Sequence, residues 1–93
     1  MTDNEVIRFL NAFEGDEAAV VRTFIVWVNG REVTIKLHDR GEGAGTLRYY
    51  AHAFWTGLDL TNADPNANGH TIGNPDAEAE TALHNLHWNV FES

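Results

Sequence analysis

The twenty residues VVRTFIVWVNGREVTIKLHD, positions 20–39, leave this chain little choice of local structure. β-Branched and aromatic side chains run from Val20 to Val28, and their bulk near Cβ fits the pleated, extended backbone better than a helix. Asn29-Gly30 follows, a pair that tolerates the positive φ angles of a type I′ turn, and Val33, Ile35 and Leu37 then alternate with polar residues. The segment reads as an antiparallel hairpin. A two-residue loop pairs Val28 with Arg31, and counting back pairs Val26 with Val33 and Phe24 with Ile35, which places these residues on the buried face. The opposite face carries Thr23, Ile25 and Trp27 beside Glu32, Thr34 and Lys36. It is half polar and half apolar.

The flanking segments complete an α-β-β-β-α order. Ahead of the hairpin, Thr2 or Asp3 can cap a helix, acids at 3 and 5 suit its dipole, and Val6, Phe9, Leu10 and Phe13 recur at helical spacing until Gly15 stops it. After the glycine-rich GEGAG, the run TLRYYAHAFW reads as a third strand, with Leu47, Tyr49, Ala51, Ala53 and Trp55 inward and Arg48, Tyr50, His52 and Phe54 outward. A long connection, residues 56–73, follows, with Leu58 and Leu60 expected to pin it to the core. Asn74 as N-cap, Pro75 as first residue, and Asp76 and Glu78 in the first turn then open a last helix whose apolar stripe is Ala79, Ala82, Leu83, Leu86 and Val90. The expectation is one small α+β domain over residues 1–93, a three-stranded antiparallel sheet with both helices on one face.

Composition bounds the chemistry. A 93-residue chain that is 43% hydrophobic supports a single core, and with no cysteine it offers neither a disulfide framework nor a thiolate metal site nor a thiol nucleophile. No run approaches the roughly 18 apolar residues of a membrane span, and MTDNEVIRF lacks the basic and apolar regions of a secretion signal, so the reading is cytoplasmic. The net charge of −8 is uneven. From Arg22 to Arg48 five bases stand against three acids, a local balance of +2, and the remaining residues carry −10. Such asymmetry bears on partners and solubility.

Each candidate site lacks a part. The stretch DPNANG places Asp64, Asn66, Asn68 and Gly69 at positions 1, 3, 5 and 6 of a calcium loop, but position 12, where a bidentate Glu belongs, is Pro75. An Asn- and Gly-rich turn accounts for the same residues. His84 and His87, three apart on the predicted last helix, could share a cation with help from His52 or His70, yet two histidines at this spacing are more often half-buried polar residues at a helix margin, here beside Trp88. For hydrolysis, the one serine is Ser93, and His38, Asp39 and His52 have no nucleophile predicted beside them. The expectation is a protein that is not an enzyme and needs no metal or cofactor.

The element order α-β-β-β-α is that of double-stranded RNA-binding domains, but their lysines at the start of the last helix are here replaced by Asp76, Glu78 and Glu80, which repel a phosphate backbone. A single strand could instead stack on Trp27, Tyr50 and Phe54, with Lys36 and Arg48 drawing phosphates. The fourteen-residue run GNPDAEAETALHNL is similar to the G-x-T-x-E-A-L-x-N segment after the third strand of HicB-type antitoxins, although their PDLPG stretch is missing. That resemblance implies a protein-binding, antitoxin-like regulator.

The sequence therefore leads to a non-catalytic protein-binding module. Its binding surface is expected at Ile25, Trp27, Lys36, Arg48, Tyr50, His52 and Phe54, which would also cover a second copy in a homodimer through the sheet face. Asp76, Glu78 and Glu80 form an acidic surface able to imitate nucleic acid towards a basic protein. Single-stranded nucleic-acid binding through the sheet is the alternative, and weak metal binding comes third.

Overall fold

The computed structural model describes residues 2–14, 18–60 and 69–92, with the side chains of residues 13 and 14 outside the description. Its centre is an antiparallel meander of four strands in the order β1-β2-β3-β4: Val20–Val28, Arg31–Asp39, Tyr49–Trp55 and His70–Ile72. The hairpin forms in the expected register, Val28 opposite Arg31, Val26 opposite Val33 and Phe24 opposite Ile35. Its turn has φ of 52° at Asn29 and 77° at Gly30, the left-handed region an Asn-Gly pair accepts at least cost. An α+β fold with an antiparallel sheet was legible; a fourth strand was not. β4 pairs only three residues with β3, Ala53 opposite Thr71 at the middle, and so short a run shows no alternation to read.

The core lies on one side of β2 and β3. Val33, Ile35, Ala51, Ala53 and Trp55 are buried there against Leu86 and Phe91. Two alanines on adjacent inward positions of β3 leave room for the last helix, α2 (Ala79–His84), whose buried Ala82 brings its backbone close to that strand. The 3-10 turn Trp88–Phe91 then swings Phe91 into full burial, where its ring meets Trp55 edge-on at 5.1 Å. Leu83 and Val90 of the predicted stripe pack at the margin, as does Leu58.

Helix α2 starts later than Asn74-Pro75 suggests. Asp76 exchanges two backbone hydrogen bonds with Tyr49, of 2.9 and 2.8 Å, and this bridge holds the residues around it extended. The Asp76 carboxylate then accepts the Glu78 N–H at 3.0 Å, and the helix begins only at Ala79. Sheet pairing outcompetes the capping signal.

Helix α1 (Asp3–Glu14) is closed by a reciprocal cap: Thr2 Oγ1 accepts the Glu5 N–H at 3.2 Å while Glu5 Oε1 accepts the Thr2 N–H at 3.3 Å. Its apolar stripe does not cover the sheet. Ile7 alone among its described side chains is buried, against Gly41, whereas Val6 and Leu10 are exposed and Phe9 is 60% exposed. Asn4 accepts the Glu42 N–H, so α1 rests on the two 3-10 turns of Glu42–Leu47, which meet at Gly45. The expected pair of helices on one face is thus corrected: α2 packs on the sheet, and α1 caps its end. Phe13 and Gly15 lie outside the described residues in side chain and backbone respectively. Among the described residues no helix is long and apolar enough to cross a membrane.

Candidate protein-binding surface

Among the described residues strand β1 ends the sheet, and the layer that covers β2 and β3 reaches it at Val28, which packs at the core margin. Alternate residues of a strand face opposite ways, so one face of β1 presents Val21, Thr23, Ile25 and Trp27 and the other Arg22, Phe24, Val26 and Val28. Both sets are open. Trp27 is 66% exposed and Ile25 53% on the first face, and Phe24 is 49% exposed on the second. The sequence had placed Phe24 and Val26 in the core; both are exposed outside it, on a strand that α1 touches through the Asp3–Arg22 ion pair at 3.9 Å. Arg22 is the one charge on this edge strand, whose nine residues contain no proline or lysine and pair with β2 unbroken by a bulge. Proline, lysine and bulges are the devices that normally keep an edge from recruiting other strands.

Of the seven residues expected to form a binding face, six share one side of the sheet. Ile25 stands opposite Thr34 and Thr34 opposite Phe54; Lys36 pairs with His52, Trp27 with Glu32, and His38 with Tyr50. Arg48 does not join them. It precedes β3 with helical backbone angles, and its guanidinium makes two bonds to the Asp39 carboxylate, Nε to Oδ1 at 2.8 Å and Nη2 to Oδ2 at 3.2 Å, over the Tyr49 ring. This pairing raises the Arg48 pKa and lowers that of Asp39. Tyr50 is also engaged, its ring stacked on His38 at 4.2 Å with Arg40 4.8 Å from its centroid.

His38, His70 and Ile72, absent from the expected surface, also lie on this face, Ile72 directly opposite His52. His52 Nε2 lies 2.6 Å from His70 Nε2, and His70 is buried with no partner at Nδ1 among the described residues. Burial, reinforced by His70, His38 and Lys36, lowers the His52 pKa to about 4. Burial followed by Lys36 and Arg40 lowers that of His38. Both rings are therefore neutral near pH 7 and add no charge to the face beside Lys36. Only a strand-level view of residues 70–72 could have brought His70 here.

The reading of His84 and His87 as a shared metal site does not match this geometry. α2 ends at His84, so His87 lies beyond it, its N–H donating to Thr71 Oγ1 at 3.0 Å, and the two histidines do not share a helix face. Among the described residues no group of three or more His, Cys, Asp or Glu could hold a metal ion. Asp64, Asn66 and Asn68 lie outside the described residues. Gly69 has a role of its own: its φ is 80°, and an added Cβ there would overlap the Trp55 indole. Of the acidic trio, Glu78 and Glu80 are exposed, while Asp76 is held in the bridge to Tyr49.

No protein-family model, curated protein or solved structure matches this chain.

Proposed function

We propose that the chain is a non-catalytic protein-binding module that takes up another polypeptide at the free edge of β1. The observation that carries this is the exposure of one apolar edge strand on both of its faces. An edge offers backbone hydrogen bonds for affinity, and the side chains above and below it, Phe24 and Val26 on one side and Ile25 and Trp27 on the other, supply apolar contact. Patches of this kind on small proteins mark interaction sites.

This reading is preferred to the two others. Stacking of single-stranded nucleic acid on the sheet needs Tyr50 and Arg48, and the first is occupied by His38 and the second by Asp39. Imitation of nucleic acid needs the carboxylates of Asp76, Glu78 and Glu80 to act together, and that of Asp76 accepts the Glu78 N–H at 3.0 Å. The acidic surface then serves mainly to keep an apolar-edged protein in solution.

The test compares the parent with Ile25→Lys, which puts a charge on the edge, and with Glu78→Gln/Glu80→Gln. Each is immobilised and the polypeptides it retains, copies of this chain included, are identified by mass spectrometry. At least one polypeptide should be held by the parent and by the Gln variant and lost on Ile25→Lys. Identical sets for the parent and Ile25→Lys, or no polypeptide held by the parent, would defeat the reading.

A further inference from the structure

We infer that the polypeptide bound at β1 is a second copy of this chain, paired antiparallel across a two-fold axis at Phe24 to make one continuous eight-stranded sheet. The inference rests on the β1-edge reading and names its partner.

The backbone comes first. In a hairpin with a two-residue loop the flanking pair is hydrogen-bonded, so Val28 bonds Arg31 and, by alternation, Val26, Phe24, Arg22 and Val20 also bond β2. The Glu32 carbonyl accepts the Thr56 N–H on the β3 side, which agrees with that alternation. The N–H and C=O groups of Val21, Thr23, Ile25 and Trp27 therefore point away from the sheet. In the register that sets Val21 against Trp27 of the partner subunit and Thr23 against Ile25 of the partner subunit, every outward residue meets an outward residue. All nine positions of β1 are then paired. A shift by two residues keeps the bonding pattern and loses overlap.

The side chains agree with this register. Its axis passes through Phe24, which meets the partner's Phe24 as a non-hydrogen-bonded pair, the type in which side chains come closest. Val20 meets the partner's Val28. Arg22 is the one charged residue of β1 and falls opposite the partner's Val26, so no like charges oppose each other. β1 holds no acid, and Asp3 of α1 lies 3.9 Å from the Arg22 guanidinium, which sets an acid beside the one charge of the strand. A two-fold pairing also closes the edge on itself, where an unguarded edge would otherwise propagate.

Because the axis pairs position 24 with itself, charge at that position gives a specific test. Phe24→Glu and Phe24→Lys are made separately, and sedimentation velocity is run on the parent, each variant and their equimolar mixture. The parent should be a dimer at tens of micromolar. Each variant alone should dissociate at least about tenfold more readily, since like charges directly opposite across strands repel. The mixture should recover the dimer as a Glu–Lys pair. Should either variant fail to fold, hydrogen exchange on the parent substitutes: the amides of Val21, Thr23, Ile25 and Trp27 should slow as concentration rises. A parent that stays monomeric, variants that stay dimeric, or outward amides insensitive to concentration would overturn the second-copy assignment. A monomeric parent whose Ile25-dependent capture of a different polypeptide persists would leave the broader reading standing, so the two failures are distinguishable.

Discussion

His52 and His70 face each other across β3 and β4 with their Nε2 atoms 2.6 Å apart, so one imidazole N–H donates to the bare nitrogen of the other. Two neutral rings can share that bond; two protonated rings cannot. With the His52 pKa lowered to about 4 from an ordinary 6.5, the unfolded chain takes up a proton between those values and the folded chain does not. Folding stability should therefore fall as pH drops from 6.5 towards 4. The slope is less than about 1.4 kcal/mol per pH unit, because the ring is partly solvated. Urea unfolding at several pH values measures it, and His52→Gln should flatten the dependence. An equal slope in the variant would assign the effect elsewhere.

A second titration should appear at lower pH. The guanidinium of Arg48 holds the Asp39 carboxyl below its ordinary value, so its stabilisation is present above the unfolded carboxylate pKa and is lost as pH falls through the lowered one. Asp39→Asn keeps an acceptor for the Gly41 N–H but loses the charge-assisted pair. The expected cost at neutral pH is about 1 kcal/mol, modest because solvent screens the pair. A double-mutant cycle with Arg48→Gln should return a coupling of that size, and a coupling of zero would show that the two contribute independently.

Gly69→Ala should be among the most damaging small substitutions. Its φ of 80° already disfavours a side chain, and the new Cβ would overlap Trp55, with Cγ of that ring at 2.8 Å. The indole cannot retreat, since Phe91 packs edge-on against it. Loss of roughly 3 kcal/mol or more is expected from the combined strain and overlap, measured by thermal or chemical unfolding. A loss below about 1 kcal/mol would mean that Trp55 has room to move.

How far the sequence carried depends on how local each signal was. The hairpin register was readable to the residue because Asn29-Gly30 fixes the loop and the alternation of β2 does the rest. Inward Ala51, Ala53 and Trp55 followed from alternation too. What failed was competition between local and distant bonds: Asn74-Pro75 carries a helix-start pattern, but Tyr49, twenty-seven residues upstream of Asp76, claims the backbone of that residue. Arg48 was counted on the open face by parity, until a helical residue ahead of β3 broke the count. The most consequential miss concerned coverage. Periodicity shows that Phe24 and Val26 share a face with Val33 and Ile35, yet it cannot show where the covering layer ends.

Two phenylalanines give the sharpest contrast between pattern and placement. Phe9 lies on the apolar stripe of α1 and is exposed, whereas Phe91 lies in a four-residue 3-10 turn outside the predicted stripe and is fully buried. Phe91→Ala should cost about 3–5 kcal/mol, which includes the cavity left beside Trp55. For a domain whose whole stability is about 5–15 kcal/mol, that brings the folded state close to failure. Phe9→Ala should change stability by less than about 1 kcal/mol, as surface substitutions do. Guanidinium unfolding of both variants on one preparation decides the matter. A large loss at Phe9 would mean that α1 covers apolar surface in solution, in which case the helix, and not a second strand, is what shields this end of the sheet.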